Sequence, residues 1–430
     1  MSVGRLVMCL VLLLTPAAVA QTTDAATRDL IERLLQRIDT LEKRVSQLEN
    51  PGTPAAAAVT APKAAEVQTA PAAHAHDTAP MPDAAQPNYP ALRLAGFSDV
   101  NFAATNLHGP SGGFGTQTLL GPHSGFQEGQ FALHLSAALS PKVSVFGELS
   151  VTARADAGTG TPAATGFNAE LERLIVRYDV NDYFKVSFGR YHTPINYWNT
   201  AYHHGQWLQT TASRPEMTQF GGSFIPVHFI GMLAEGAVPA GGLNLNYNVG
   251  LGNGRGQVIS RGGDIGDINN NRAWLVNGFI KPDKLYGLQV GGSVYRDLIN
   301  PQTGAPAREW IQSGHIVWQK ETPEVIAEFA NVTHQPVNGS PSVNSQAFYV
   351  QTAYRLPGEA KLWKPYYRFE YMHIPQADAI FRAVPSFAGS TVGVRYDISS
   401  FAAFKMEFRN YSRRNLPSIY GAFLQTSFTF

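Results

Sequence analysis

From Leu92 to Phe430 the chain keeps returning to a period of two, which restricts its fold more than any other property. Leu243, Leu245, Tyr247, Val249 and Leu251 alternate with Asn244, Asn246, Asn248 and Gly250. Successive side chains of a strand point to opposite faces, so such a run has one apolar and one polar side. The same pattern sets Phe131, Leu133 and Leu135 against Gln130, His134 and Ser136, and Phe348, Val350 and Tyr354 against Tyr349, Gln351 and Arg355. It recurs in Tyr367/Phe369/Tyr371 against Arg368/Glu370, and in Phe404/Met406/Phe408 against Lys405/Glu407/Arg409. No helical period competes over a comparable length.

Sixteen such runs fall near 92–105, 126–139, 142–154, 170–180, 183–190, 220–236, 241–252, 272–281, 285–297, 308–319, 324–333, 345–356, 361–374, 388–398, 401–411 and 418–430. Their soft boundaries also admit fourteen or eighteen. The connections alternate in length. Ser140-Pro141-Lys142, Asn181-Asp182, Thr322-Pro323 and Pro357-Gly358-Glu359 are short, and long Gly/Pro/Asn-rich stretches lie between them. Outer-membrane barrels have short turns on one side and long loops on the other. The expected fold is therefore all-β: an antiparallel transmembrane barrel of about sixteen strands over 92–430. An even strand count returns both of its ends to one side.

The preceding residues read as three segments. Residues 1–20 carry Arg5, an apolar run from Leu6 to Leu14 and Ala18-Val19-Ala20, the pattern of a cleaved secretory signal. That apolar run is too short to cross ~30 Å of hydrocarbon. Over 27–50, Ile31, Ile38 and Val45 recur every seven residues, as do Leu34, Leu41 and Leu48. These are the a and d positions of a helical coiled coil, stopped by Pro51. Arg37 and Glu42, then Arg44 and Glu49, occupy g and the following e, in a pattern that resembles a known trimer-specifying motif. A β-branched a with Leu at d favours dimers instead; the repeated motif tips the expectation to a trimer. Residues 51–91, rich in Ala and Pro, read as an extended linker.

Charge excludes some partners. The chain has 33 Lys and Arg against 32 Asp and Glu, and the leader takes only Arg5, so the remainder is neutral at 32 against 32. No basic bias points to nucleic acid. The single Cys, Cys9, lies in the leader, which excludes disulfides, zinc–thiolate sites and Cys nucleophiles from the rest of the chain. The final strand places Tyr420, Ala422, Leu424, Thr426, Phe428 and the terminal Phe430 on one face. A terminal aromatic after alternating apolar residues resembles the assembly signal of outer-membrane proteins.

Leader, coiled coil, linker, about sixteen strands and terminal Phe together resemble the trimeric general and anion-selective porins, including the phosphate-selective porin O/P group. No lysine or arginine ladder is evident. The resemblance implies a homotrimer in outer-membrane lipid, its coiled coil in the periplasm and within reach of the cell-wall layer. It implies passive diffusion of small hydrophilic solutes or ions, and a third outer connection folded into the lumen. That connection, 191–219, carries His192, Tyr197, Trp198, Tyr202, His203, His204, Trp207, Arg214 and Glu216 as the expected constriction. By alternation, Arg173, Arg177, Arg355, Arg368, Arg395, Lys405 and Arg409 face the lumen, against Glu128, Glu148, Glu370, Asp397 and Glu407. The modest cationic excess leans toward anions.

No cofactor and no metal is expected. His203-His204 are adjacent and point apart, and Asp264 to Asn271 lacks the terminal Glu of a calcium loop. Neither a Gly-x-Ser-x-Gly elbow nor a His-Glu-x-x-His pair occurs, so the chain is not expected to be an enzyme. Two other classes stand beside the channel: an anchor tethering the barrel to the cell wall through the coiled coil, and a hydrolase on the barrel wall. Ion conductance separates the three.

Overall fold

A computed structural model describes residues 89–430, apart from 107–123, 154–160, 162, 164–165, 203, 220–223 and 383. The leader, the coiled coil with its contact residues Ile31 to Glu49, the linker as far as residue 88, and His203 lie outside the described residues.

Sixteen strands form one closed antiparallel barrel. In chain order they are β1 Ala91–Thr105, β2 Gly125–Ala138, β3 Val143–Ala153, β4 Phe167–Asn181, β5 Phe184–His192, β6 His228–Val238, β7 Leu245–Asn253 and β8 Ala273–Ile280. There follow β9 Leu288–Ile299, β10 Ala307–Gln319, β11 Glu324–Pro336, β12 Val343–Ala353, β13 Trp363–His373, β14 Phe387–Ser399, β15 Ala402–Arg413 and β16 Ile419–Thr429. Each strand pairs with its sequence neighbours, and β1 closes on β16 from Phe97↔Thr429 to Thr105↔Gly421. Closure removes the two free edges that an open sheet would present.

The terminal residue belongs to this seam. Phe430 exchanges backbone hydrogen bonds with Gly96 at 2.9 and 3.1 Å, and its ring stacks on Phe131. A Cβ on Gly96 would lie 2.3 Å from that ring, so the ring occupies the space the glycine leaves.

Alternation is carried into the wall. Along β7, Leu245, Val249 and Leu251 are exposed while Gly250 and Gly252 are buried. Along β15, Lys405, Glu407, Arg409 and Tyr411 are buried, with Met406 and Phe408 outside. An exterior with Leu171, Phe188, Val350 and Phe408 all exposed, and many like them, suits hydrocarbon and would aggregate in water.

Three sequence expectations need correction. The sixth strand begins at His228 and not near residue 220, because Phe224, Ile225 and Val227 are buried inside the barrel as the end of a connection. Glu128 faces outward. The register between β1 and β2 shifts between Ser98 and Val100, and Glu128 pairs with the exposed Val100. One inserted residue switches every side chain beyond it to the other face. Arg355 lies past the end of β12, in a turn at the barrel mouth, with Glu321 and Asp397 at 3.0 and 2.7 Å.

Candidate functional site

The third long connection joins β5 to β6, yet its partners are on the far side of the barrel. Its path through the interior can be followed by its hydrogen bonds. The amides of Tyr197 and Trp198 both donate to Glu328 Oε1 of β11 at 2.7 Å, where a single turn of helix, α1 (Trp198–Ala201), begins. Gly205, at φ 100°, then reverses the chain beside Phe97 of β1; a side chain there would be both strained and crowded. Arg395 of β14 donates to the carbonyls of Trp207 and Gln209 at 2.6 and 2.8 Å, and Lys405 of β15 to those of Gln206 and Thr211. The amides of Ala212 and Ser213 donate to Glu407 of β15 at 3.1 and 3.3 Å, and that of Glu216 to Glu370 of β13 at 2.6 Å.

A connection without regular structure carries many backbone groups that a dry interior would leave unsatisfied. Here inward-facing charged side chains satisfy them. Arg368 of β13 is fully buried, pairs with Glu370 at 2.8 Å, and donates to the Ser213 carbonyl, the Ser213 hydroxyl and the Arg214 carbonyl at 2.8, 2.7 and 3.2 Å. Arg409 pairs with Glu407 at 2.6 Å. The expected wall arginines 368, 395 and 409 do face inward, but each pairs with a carboxylate of its own strand, and Arg368 and Arg395 also cap carbonyls of the connection.

Apolar packing completes the anchorage. Trp198 is completely buried, edge-on to Tyr202 and to Tyr349 of β12, within a cluster that includes Tyr295, Ile311, Ile326 and Phe381. Burying a side chain of this size contributes about 2–3 kcal/mol. The expected constriction residues therefore separate. Tyr197 and Trp198 are packing anchors. Arg214 and Glu216 are buried, at 2 and 6% exposure, and do not line open space.

The connection leaves a cleft against β3 to β9, lined among others by Phe146, Arg173, Arg177, Tyr191, His192 and Glu235. Arg177 pairs with Asp179 at 2.8 Å and faces Glu235 at 3.8 Å; Arg173 pairs with Glu148 at 2.6 Å.

Glu216 gives the anchorage a pH dependence. Burial, reinforced by the neighbouring Glu370, pushes its carboxyl up to about 8, so at neutral pH it is held as the acid. A carboxyl raised above its ordinary ~4.3 stabilises the packed state at low pH, and that contribution is lost as pH rises through the folded value. The expected result is that protease cleavage within 205–219 accelerates from about pH 5 to pH 8 and levels off above it, and that Glu216→Gln abolishes the acceleration. Equal pH dependence in both chains would remove Glu216 from this role.

The sequence pattern had an overlooked signal at Glu328. It shares the inward face of β11 with Ile326 and Ala330, and an acid in an apolar row needs a partner. In the Asp264 to Asn271 connection, Asp267 accepts from the Asn269 amide at 2.9 Å and Asn269 from the Asn271 amide at 2.8 Å. These are turn-forming contacts. His334, Asp378 and Ser345 gather on a serine-hydrolase donor set, but the Ser345 hydroxyl donates to Asp378 at 2.7 Å and not to a histidine. That order activates no nucleophile.

No known family's sequence profile matches the chain, and no curated protein matches it in sequence. Solved structures share its fold. The anion-selective porin from Comamonas acidovorans superposes with a TM-score of 0.51 at 11% identity, over 79% of this chain and 99% of the porin. The outer-membrane channel DcaP of Acinetobacter baumannii gives 0.51 at 12%, over 79% and 97%. OmpF of Salmonella typhi, in complex with daunomycin, gives 0.50 at 11%, over 79% and 98%. Identities this low establish the barrel fold alone.

Proposed function

We propose that this chain is a bacterial outer-membrane channel for passive diffusion of small hydrophilic solutes or ions. The observation that carries this reading is the third connection, which crosses a closed sixteen-stranded barrel and leaves a cleft along one wall with Arg173, Arg177 and Glu235 in its lining. A barrel of this size encloses an aqueous lumen unless something fills it. The apolar exterior fits a lipid setting, and the fold is shared with the anion-selective porin and the channel DcaP. In this reading residues 27–50 hold three copies together in the periplasm, and the chain catalyses nothing.

A weak preference for anions is supported by the charged side chains lining the cleft, Arg173 and Arg177 against Glu235; Glu148 and Asp179, behind the lining, pair with these arginines and weaken it. A phosphate-selective passage of the porin O/P type needs a row of cations along its length. The arginines of β13 to β15 are instead engaged by carboxylates and loop carbonyls, so a general channel is the better fit. Arg214, buried away from the cleft, is not the selectivity residue in this reading; Arg177 takes that place.

The test is planar-bilayer recording of the full chain, with reversal potentials in a salt gradient and cross-linking of the same preparation. Steady channels, slight anion selectivity and a cross-linked trimer are expected. Arg177→Glu places a third carboxylate beside Asp179 and Glu235 and shifts permeability toward cations. A chain that inserts but does not conduct is an anchor, and the channel reading fails. An unchanged reversal potential in Arg177→Glu takes the passage away from that wall.

A further inference from the structure

Where the third connection leaves β5, histidines and carboxylates gather inside the barrel. Glu148 of β3, His192 at the end of β5 and His204 of the connection are all buried, and one donor atom from each lies within 4.8 Å of the other two. Among the described residues this is a group with the donor set of a metal site. His192 Nε2 lies 3.6 Å from Glu148 Oε2, and the His192 and His204 rings are 5.6 Å apart between centroids.

A local irregularity of the sheet builds the surroundings. The register between β3 and β4 shifts after Glu148, which pairs with Arg173, while Leu149 pairs with Leu171. The extra residue turns Glu172 and Arg173, consecutive in sequence, both inward, and both are buried. Bulges that re-aim side chains in this way concentrate beside functional sites. Glu172 Oε1 then stands 3.5 Å from His204 Nε2, and its other oxygen 2.7 Å from His228 Nε2 of β6. His134 of β2 meets Glu148 Oε1 at 2.6 Å, and Arg173 meets Oε2 at 2.6 Å.

We propose that Glu148, His192 and His204 bind a divalent transition-metal ion of the zinc, nickel or copper class, and that the ion pins the third connection to the barrel wall. Two imidazoles and a carboxylate suit these ions and not calcium or magnesium, which take oxygen ligands. Ligands ~2.0 Å from a tetrahedral ion stand about 3.3 Å from one another, so the three donors close on it by small side-chain rotations. Glu172 is beside His204 to complete the shell. His134 and His228, each on a carboxylate oxygen, supply the outer contacts that orient metal-binding carboxylates. Arg173 leaves Glu148 enough lone pairs, since a carboxylate accepts about four hydrogen bonds or metal contacts. In the sequence His204 stands beside His203, and adjacent side chains do not converge on one ion, so no metal is expected there. The ligands in fact come from positions 148, 192 and 204, which only the barrel brings together.

The test uses the full chain in detergent, without an affinity tag and with His74 and His76 replaced by Ala, since their spacing in the sequence could capture an ion independently. After stripping with a chelator, equilibration with Zn²⁺ and desalting, the retained metal is counted by mass spectrometry. About one ion per chain is expected, retained in His373→Ala and lost in His192→Ala/His204→Ala. His204→Gln alters only the connection and serves if the double variant does not assemble. Loading with Co²⁺ gives the strong visible bands of a four-coordinate site in the parent chain and not in His204→Gln. No retained ion in the parent, or equal retention and an equal Co²⁺ spectrum in His204→Gln, overturns the proposal. Both readouts are independent of conduction, so they can fail while the channel reading stands.

Discussion

Replacing 197–217 by a short Gly/Ser bridge is expected to raise single-channel conductance by roughly a factor of two or more, the largest functional change available in this chain. The sixteen strands close through their own hydrogen bonds, from β1↔β2 round to β1↔β16, and none of those pairings uses the third connection. The wall therefore survives the deletion. What disappears is the material filling the interior: α1, the turn at Gly205 and the buried stretch from Gln209 to Met217. A lumen of sixteen strands is then open to water. The ring of Trp198 and its neighbours leaves apolar wall at Tyr349, Ile326 and Ile311 wetted, so some loss of thermal stability accompanies the gain in conductance. A shortened chain that assembles and conducts like the parent would show that ions do not pass where the connection lies.

Arg368→Met is expected to release the connection without deleting it. This guanidinium is joined to Glu370, Thr211, Ser213, Arg214 and Gln351. Removing one partner of a buried ion pair costs about 3–5 kcal/mol, because the remaining charge is left without compensation. Here the cost falls on the packing of the connection and not on strand pairing. The observable is rapid proteinase K cleavage within 205–219 and noisy, larger conductance, while the barrel's heat resistance changes little. Adding Glu370→Gln removes the stranded carboxylate and recovers part of the loss. Resistance to protease equal to that of the parent chain would mean that Glu407, Arg395 and Lys405 suffice to hold the connection.

The sequence alone determined the barrel. Side-chain direction in a strand alternates with a period of two whatever the neighbours, so inward and outward faces and the two classes of connection can be read residue by residue, and the strand number to between fourteen and eighteen. Leu245 to Leu251 and Phe404 to Arg409 needed no tertiary information, whereas Leu243 and Asn244, read as the start of the same run, lie in the turn before β7. The exceptions are local: Glu128 lies beyond an inserted residue, and Glu172 and Arg173 sit on another. A single extra residue leaves little mark in composition but reverses or doubles a face.

The destination of the third connection's side chains was not legible. Its length and aromatic content pointed inward by resemblance, but alternation says only that Arg368, Arg395 and Arg409 face the lumen, not what fills it. Whether a charge lines water or caps a carbonyl depends on chain segments more than 150 residues away, as with Arg368 and Ser213. Tertiary structure alone made that choice, because burying an irregular segment requires partners for every amide and carbonyl. The charged rows of β13 to β15 supply them. The same holds for Glu148, His192 and His204: three positions with no common period, joined only when the barrel closes around them.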